Sequence, residues 1–272
     1  MTEPNNSLII EQQLTIKEVE NRIRSFSYDK ENLDQESVEF LQRCHLDERK
    51  GIQSIIRSYL KQQQKHQQEL LRSHNMYNFE MELWHKGIVT IAGTDEVGRG
   101  CVAGPVVAAA VILPLEPMIL GLNDSKKLTP IQREELNVQI RLQAIDIAIG
   151  EVDAQTIDKI GIVAATFAAM KQAIHQLMFK PDYILVDAFA IPGLDIPQSN
   201  IIGGDGKAAS IAAASIVAKV YRDQKMVEYH AQFSDYGLNQ HKGYGTREHM
   251  EAIRTYGFTP LHRKSFLKEI TF

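Results

Sequence analysis

The chain has 272 residues, of which 44% are hydrophobic and 24% charged, and its formal net charge is −4. This composition is ordinary for a soluble globular protein, and the length suffices for a sizeable core. The negative charge argues against a protein that coats nucleic acid. It does not exclude an enzyme that acts on nucleic acid, because the local field matters more than the sum.

We expect neither a membrane span nor an export signal. No stretch reaches the ~20 apolar residues that cross a bilayer, and the polar, acidic start of the chain lacks the apolar segment of a signal peptide. Cys44 and Cys101 fit no disulfide or metal-ligand pattern. We therefore expect a cytoplasmic protein in a reducing compartment.

Residues 1–84 are predicted to form a helical N-terminal domain. The segment TIKEVENRI begins with a capping box, in which Thr15 and Glu18 satisfy each other's free amides. Further on, apolar residues at positions 52, 55, 56, 59 and 60 have the spacing of an amphipathic helix. The bulky residues of MYNFEMELW are expected to dock this arm on the next part of the chain.

Residues 85–272 have a different texture, which predicts an α/β domain. GIVTIAGTDE and PVVAAAVILP are typical of buried strands joined by a glycine-rich turn, and YILVDAFAI of a short apolar strand. Asp153 is positioned to cap one long helix over residues 154–179. The glycine-rich IIGGDGKAAS predicts a strand end and loop, followed by an alanine-rich helix in which Ser210 and Ser215 are expected to pack or bond locally.

Acidic residues recur where the apolar segments end: Asp95 and Glu96 follow the first strand, Asp187 closes ILVD, and Asp205 follows NIIGG. Taken singly, each has a simpler interpretation as a turn or helix cap. Sites in α/β proteins are built at strand ends, however, so these acids can converge. Convergent carboxylates repel one another unless a cation compensates them. An all-oxygen set favours Mg²⁺ or Mn²⁺, and two such ions support phosphodiester hydrolysis.

Five motifs occur in order: GTDEVGRGCVAGPVVAAAVILP, LNDSKKLT, YILVDAFAI, IIGGDGKAASIAAASIVAKVYRD and HKGYGTREH. Together they resemble bacterial ribonuclease HII over about residues 88 to 265. The resemblance implies a ribonuclease-H-like α/β fold, a mixed five-stranded sheet flanked by helices, here with a small all-α N-terminal domain added.

The activity that the resemblance implies is cleavage of the RNA strand of RNA–DNA hybrids. It also implies nicking of duplex DNA 5′ to an embedded ribonucleotide, as in ribonucleotide excision repair. The chemistry would use two divalent ions, Mg²⁺ or Mn²⁺, and leave 5′-phosphate and 3′-hydroxyl ends. The expected partners are therefore RNA–DNA hybrids and ribonucleotide-containing DNA, bound by a monomer.

Carried over by position, the catalytic and metal-binding acids are Asp95, Glu96, Asp187 and Asp205. Asp205 is preferred to Asp223 as the fourth acid, because the family's fourth acid follows the glycine-rich strand end. Asp223 lies within the predicted helix, where we expect it to pair with a neighbouring cation.

The resemblance also implies substrate contacts. The GRG turn, formed by Gly98, Arg99 and Gly100, would contact the backbone around the ribonucleotide and its 2′-hydroxyl, the group that distinguishes RNA from DNA. Tyr244 matches a tyrosine that senses the ribonucleotide junction, although without the motif it would be read as a surface aromatic.

Several cations are candidate contacts to phosphates. They are Lys126, Lys127 and Lys207, with a solvated surface charge as the competing interpretation for Lys127. A basic strip along the duplex is a further hypothesis. Its candidates are His241, Lys242, Arg263 and Lys264.

Four alternatives remain at this point. A nuclease of the same fold that cuts DNA would be separated by a 2′-deoxy substrate at the cleavage site. A type HIII relative is disfavoured because that type carries a β-rich platform where this chain has a helical arm. A hybrid-binding module without catalysis is disfavoured because all four acids are present. A nucleotide-binding domain would need a GxGxxG turn that opens a helix. The arm itself carries eleven Lys or Arg and fourteen Asp or Glu, so we predict that it modulates substrate binding without entering the catalytic step.

Overall fold

The computed structural model describes residues 14–268. The chain divides into two units, Met1–Arg72 and Ser73–Phe272, and the division falls within a long helix. Residues 1–13, on which the expectation of no signal peptide rests, lie outside the described part. Within residues 14–268, no helix has both the length and the apolar character that a membrane crossing requires.

Among the described residues of the first unit, three α-helices begin: α1 (Ile16–Arg24), α2 (Gln35–Leu46) and α3 (Lys50–Met76). The predicted capping box of α1 is confirmed, since the Thr15 amide donates to the Glu18 carboxylate at 2.7 Å and the Glu18 amide donates to Thr15 Oγ1 at 3.3 Å. Helix α2 is capped by Asp34, which accepts the Ser37 amide at 2.7 Å.

The apolar stripe predicted from the sequence forms the core of this unit. Its buried members on α3 are Ile52, Ile56 and Tyr59, whereas Leu60 is 45% exposed. They pack with side chains of α1 and α2, namely Val19, Ile23, Phe40 and Cys44. The helices are therefore held by their shared apolar faces, as expected for elements that are amphipathic by sequence.

The second unit contains seven α-helices and five strands within the described residues. The helices are α4 (Asn78–His85), α5 (Pro130–Gln143), α6 (Ala154–Ile160), α7 (Ile162–Gln176), α8 (Ala209–Gln232), α9 (Leu238–His241) and α10 (Arg247–Tyr256). The strands are β1 (Ile91–Val97), β2 (Val106–Ile112), β3 (Asp146–Val152), β4 (Tyr183–Asp187) and β5 (Gln198–Ile201).

The strands pair in the order β3-β2-β1-β4-β5. Strand β2 is antiparallel to β1 and β3, whereas β1, β4 and β5 run parallel to one another. This mixed sheet of five strands with flanking helices confirms the expected fold class. Because β1, β4 and β5 are parallel, their carboxyl ends lie at one edge of the sheet.

Helices α7 and α8 cover opposite faces of the sheet. Strand β2 is buried throughout; its even-numbered residues pack against α7 and its odd-numbered residues against α8. Burial on both faces explains why this strand is a continuous apolar run instead of an alternating pattern.

Two glycines allow the helices to approach the sheet closely. A Cβ atom at Gly93 in β1 would lie 2.1 Å from the carbonyl carbon of Ser210 in α8, and one at Gly150 in β3 would lie 2.0 Å from the carbonyl oxygen of Ala169 in α7. Since no side chain fits in that space, a substitution at either position must displace a helix.

The expected single helix over residues 154–179 is wrong. Asp153 does act as a cap, accepting the Thr156 amide at 2.7 Å, but Gly161 with φ of +80° separates α6 from α7, and α7 ends at Gln176. A residue in this conformation cannot continue a right-handed helix, so the chain turns between two shorter ones.

Candidate active site

Asp95 and Glu96 lie at the carboxyl end of β1 but face different surroundings. Because successive side chains of a strand point to opposite faces, Asp95 is directed toward α8, where Ser215 is its hydrogen-bond partner. Glu96 lies on the α7 side, in a cavity that Phe167 also lines. Asp95 Oδ1 also accepts the amide of Glu96 at 2.8 Å.

Asp187 ends β4, the parallel neighbour of β1. Its Oδ1 accepts the amide of Gly204 at 2.7 Å, which ties the end of β4 to the short turn that carries Asp205. A Cβ atom at Gly204 would lie 2.6 Å from Ile211 Cδ1. The absence of a side chain there therefore lets the turn pack against α8 and brings Asp205 to the same edge.

Burial and mutual repulsion act on the two acids of β1. Burial, together with the charges of Glu96 and Asp187, raises the pKa of Asp95 well above its ordinary value. Burial also raises the pKa of Glu96, although Arg99 opposes this with Nη1 at 3.1 Å from Glu96 Oε1. Asp187 raises the pKa of both acids, so the three carboxyl groups act on one another.

Asp205 belongs to the same group and brings in an acid that the sequence analysis overlooked. Burial, followed by the charges of Asp124 and Asp187, raises the pKa of Asp205, and Lys126 opposes the rise. The Lys126 ammonium lies 4.0 Å from Asp205 Oδ2. Asp124 precedes the lysines of the DSKK motif, and its position in that motif was the signal that could have identified it.

These acids do not form a preassembled cage. Within residues 14–268, no group of three or more His, Cys, Asp or Glu side chains is arranged to hold a metal ion. What the structure shows is a set of carboxyl groups from two strand ends and one turn, each acting on the pKa of another. Their oxygen-only chemistry and their burial suit a hard divalent cation.

The three candidate lysines have different environments. Lys126 is directed at the acids: burial disfavours its charge, but nearby carboxylates led by that of Asp95 outweigh this and raise its pKa. Lys127 lies 3.9 Å from Asp124, with its side chain 65% exposed. Lys207 is exposed, and its ammonium donates to the Ile202 carbonyl at 2.7 Å.

The GRG turn is closely packed on one side and open on the other. Gly98 has φ of +91°, and a Cβ atom there would lie 2.2 Å from Arg222 Nε. Nothing lies within 4 Å of the Cβ position at Gly100, and the Arg99 side chain is 43% exposed. The turn therefore offers its backbone at Gly100 to a ligand, while Gly98 is required by its conformation and by the arginine behind it.

Tyr244 lines a broad concavity together with Lys219, Asp223 and Lys242. The ring is 42% exposed, and burial of the hydroxyl, with Cys101 adjacent, raises its pKa. A half-exposed phenol next to basic side chains is able to contact a sugar or a phosphate. Tyr244 is therefore accessible to a ligand.

The expectation that Arg263 belongs to an exposed basic strip is wrong, because this side chain is completely buried. Its Nε and Nη2 donate to the Gly104 carbonyl at 3.0 and 2.8 Å, and its Nη1 donates to the Arg99 carbonyl at 3.0 Å. Burial, with Arg222 nearby, lowers its pKa to about 10. Arg263 therefore holds the segment after the GRG turn by its main chain.

Arg222, which the sequence analysis did not single out, does the same from α8. It is completely buried and donates to the carbonyls of Pro105, Ala103 and Lys242 at 2.9, 3.1 and 2.9 Å. Neither arginine forms an ion pair with a carboxylate in the part of the chain that the structure describes. The sequence signal that could have identified Arg222 was its position within the YRD segment of the α8 motif.

His241 does not add positive charge to a strip either. Burial lowers its pKa, and its ring stacks on that of His249 with the centroids 4.3 Å apart. Its Nε2 bonds the Tyr236 carbonyl at 2.8 Å, and its Nδ1 accepts the Gly243 amide at 3.2 Å. His241 is therefore a packing group whose burial disfavours the positive charge that a basic strip would need.

Two regions of the sequence match family models. Residues 92–269 match the model of ribonuclease HII, and residues 15–84 match that of the ribonuclease HII N-terminal domain. The chain belongs to the ribonuclease HII family. The ribonuclease HII of Clostridioides difficile (strain 630) is 45% identical over 259 residues, which cover 95% of this chain and 99% of that protein. That of Bacillus cereus (strain G9842) is 47% identical over 255 residues, which cover 94% of this chain and 96% of that protein.

Solved structures of the ribonuclease HII type resemble the structure of this chain. Ribonuclease H2 from Pyrococcus horikoshii OT3 is similar with a TM-score of 0.56 and 27% identity, over 65% of this chain and 93% of that one. The ribonuclease HII of Archaeoglobus fulgidus, solved in complex with PCNA, is similar with a TM-score of 0.55 and 27% identity. The match covers 64% of this chain and 94% of that one. The expected family and enzyme class are confirmed: the protein is a ribonuclease H, a divalent-metal-dependent hydrolase that cleaves the RNA strand of RNA–DNA hybrids.

Proposed function

We propose that this ribonuclease HII family member also nicks duplex DNA 5′ to an embedded ribonucleotide, using two Mg²⁺ or Mn²⁺ ions and leaving 5′-phosphate and 3′-hydroxyl ends. The observation that carries the proposal is the convergence of Asp95, Glu96 and Asp205 near Asp187, where burial, reinforced by the charge of Asp187, raises the pKa of all three. Carboxylates that are buried together need a compensating cation to stay ionised.

The donor set fits hard divalent ions. Asp95, Glu96, Asp187 and Asp205 would hold them through carboxylate oxygens, the ligands that Mg²⁺ and Mn²⁺ prefer. When bound, the ions would lower the pKa of a water molecule and stabilise the leaving oxygen. Without such compensation, the buried carboxyl groups would take up protons more readily than ordinary ones, and ligand capacity would be lost.

The chain's own residues would orient the substrate. Arg99 holds the carboxylate of Glu96, while the open backbone at Gly100 can approach the ribonucleotide and its 2′-hydroxyl. The ring of Tyr244 is exposed enough to contact the sugar at the junction. The completely buried Arg222 and Arg263 would act as positioning residues, because they bind the carbonyls that give this segment its shape.

Lys126 is the best-supported phosphate contact among the three lysines. Its side chain is 75% exposed, yet its ammonium reaches within 4.0 Å of Asp205. A phosphate that approaches the acids would meet this positive charge. Lys127 and Lys207 stay proposals with weaker support, since one faces Asp124 and the other donates to a main-chain carbonyl.

The proposal is tested with three duplexes: an RNA–DNA hybrid, DNA with one ribonucleotide, and all-DNA. With Mg²⁺ or Mn²⁺, the wild-type enzyme is expected to cut the first two and to spare the third. Asp95→Asn should lower cleavage of both by more than about 100-fold, because losing even an outer-shell partner of a metal costs up to that factor.

Asp182→Asn is the matched control, since Asp182 is exposed near the opposite end of β4 and accepts the Thr90 amide at 3.2 Å. This control should cleave at the wild-type rate. Labelled products would be checked for 5′-phosphate and 3′-hydroxyl ends. Wild-type activity in Asp95→Asn would refute the metal-site assignment, and an intact single-ribonucleotide duplex would refute the nicking activity.

A further inference from the structure

The turn after Asp187 has an unusual backbone. Ala188 has φ of +57°, a left-handed conformation that residues with a Cβ atom rarely adopt. Strand β5 holds it there: the Ala188 amide donates to the Ile201 carbonyl at 3.0 Å, and the Asn200 side-chain amide donates to the Ala188 carbonyl at 3.2 Å. Such strain persists where the surrounding structure imposes it, and it is concentrated at functional sites.

The result of this turn is an exposed aromatic ring. The Phe189 amide folds back to the Asp187 carbonyl at 2.8 Å, and the Phe189 side chain is 65% exposed. A phenyl ring in water forgoes the free energy of burial that favours it in a core. Strained backbone and exposed ring therefore occur together, directly beside one of the four acids.

Phe189 borders a cavity of about 410 Å³ that extends to the catalytic edge. The side chains of Glu96 and Asp187 line the same cavity, and Arg99 lies next to them. The remaining wall is mainly apolar and comes from α7, with Val163, Phe167 and Met170. An apolar surface is thus continuous with the carboxylates at which the phosphodiester is expected to bind.

We propose that Phe189 and this cavity bind the sugar of the substrate nucleotide next to the scissile phosphate. The inference rests on the proposed function, because it assumes that the phosphate lies at the four acids. Successive nucleotides of one strand are only about 3.4 Å apart along the duplex axis, so a neighbour of the scissile phosphate falls within the cavity's reach.

The sugar is the part of that nucleotide that suits the cavity. In a duplex both faces of each base are covered by neighbouring base pairs, and exposing one requires unstacking. The carbon face of the sugar remains accessible and apolar, which matches a phenyl ring and aliphatic side chains. The three charged residues that line the cavity, Glu96, Asp187 and Arg99, lie on the side where the phosphate is expected.

The test compares Phe189→Ala, Phe189→Tyr and Phe179→Ala in the full-length protein. Phe179 is a matched control because it is 51% exposed and its amide donates to Asp146 at the start of β3, at the opposite edge of the sheet. Binding of a DNA duplex with one ribonucleotide is measured by fluorescence anisotropy without divalent metal. KM and kcat are then measured with Mg²⁺ on the same duplex.

Phe189→Ala is expected to raise Kd and KM by about tenfold, the factor that corresponds to 1.4 kcal/mol, with kcat nearly unchanged, because the contact is made equally in ground and transition states. Phe189→Tyr and Phe179→Ala should resemble the wild type. Unchanged binding and KM in Phe189→Ala would overturn the inference. Loss of kcat at constant KM would also overturn it.

Duplexes that lack the base on one side or the other of the cleavage site separate sugar from base. If the ring contacts the sugar, the ratio of wild-type to Phe189→Ala affinity stays at about tenfold on both. A ratio that falls to one on either duplex would show that the base is the contact. Failure of the wild-type enzyme to nick the intact duplex would instead count against the proposed function, which keeps the two failures distinct.

Discussion

Asp205 and Asp223 show how neighbours decide what a carboxylate does. Asp223 lies within α8 and pairs with Lys219, whose ammonium is 2.8 Å away, which confirms the expectation that it would bond a neighbouring cation. Asp205 lies near the end of β4, where burial and two other acids, Asp124 and Asp187, raise its pKa. The charge of Asp223 is thus compensated by Lys219, whereas the carboxylate of Asp205 lies among other acids and is able to bind a cation.

We therefore predict that Asp205→Asn lowers ribonuclease activity far more than Asp223→Asn. The first should lose about 10- to 100-fold or more, the range associated with disturbed metal sites, and the second less than about threefold, since it breaks an i,i+4 pair worth only ~0.5 kcal/mol. Initial rates on an RNA–DNA hybrid with saturating Mg²⁺ measure both. The reverse order would mean that the fourth acid is Asp223.

At the scale of elements, α8 depends on a residue far away in sequence. No side chain of its own segment caps it at Ala208; instead Glu80 of α4 accepts the Ser210 amide at 2.8 Å and its hydroxyl at 2.6 Å. Burial raises the pKa of Glu80. Ser210 was expected to pack or bond locally: it is completely buried and so does pack, but its hydrogen bonds go to Glu80 of another element and not to a local group.

A second element-scale contact links α10 to the C-terminal segment through two buried histidines. The Thr259 amide donates to His262 Nδ1 at 2.9 Å, so the proton of that ring is on Nε2. His262 Nε2 lies 3.2 Å from His249 Nε2, and His249 Nδ1 is left to donate to the Tyr244 carbonyl at 2.8 Å. This chain of bonds requires two neutral rings and holds the main chain at Tyr244.

Acid should weaken this arrangement. Burial lowers the pKa of His249 and His262 to about 4, against ~6.5 in an unfolded chain. The unfolded chain therefore takes up protons first, and the contribution of the rings to stability is complete above about pH 6.5 and declines as the pH falls toward 4. At 1.36 kcal/mol per pKa unit, one ring loses at most about 3 kcal/mol.

Denaturant unfolding at about pH 7.5 and about pH 5 measures how much of the free energy of unfolding is lost when the pH falls. His249→Gln keeps a donor for the Tyr244 carbonyl but cannot titrate, so its free energy of unfolding should fall less between the two pH values than that of the wild type. Buried acids such as Glu80, whose pKa is raised, contribute a pH dependence of opposite sign to the free energy of unfolding. That contribution is the same in both proteins and cancels in the comparison. An equal pH dependence would show that His249 is not the titrating group.

The boundary between the two units determines where a truncation that removes the N-terminal part should begin. Residues after Arg72 belong to the second unit: Tyr77 is completely buried there, and its hydroxyl accepts the Ile119 amide at 3.0 Å. Leu83 and Glu80 are buried in the same unit. The boundary at 84 remains a prediction from sequence texture, but a truncation should begin at Ser73 to keep these groups.

We predict that residues 73–272 fold and still cleave a hybrid, with a larger loss of affinity than of kcat. Residues 85–272 should not fold, because this fragment lacks the buried side chains of Tyr77 and Leu83. Removing a large buried side chain costs about 3–5 kcal/mol, and the whole free energy of unfolding of a protein is only about 5–15 kcal/mol. Circular dichroism and steady-state kinetics compare the two. A folded 73–272 fragment that binds the hybrid normally but has no turnover would place catalytic groups in the arm.

Much of the site was predictable because its signals are local. Acids directly after apolar strands, glycines in the GRG turn and the caps at Thr15 and Asp153 are properties of a few consecutive residues. Strand β3 was not located, because DIAIGEV is short and alternates between buried and half-buried positions at the edge of the sheet. Short segments of this kind are ambiguous without their neighbours.

Family and fold class follow from the sequence, because periodicity and motif spacing are properties of the chain order, and the same motifs predict the four acids. Three features could be found only in the folded chain: Asp95 and Glu96 face opposite sides of the sheet at one edge, Arg263 is buried behind the GRG turn, and Glu80 caps α8. Each of these depends on groups that are distant in sequence, and folding alone determines which of them share a low-dielectric environment and so shift one another's pKa.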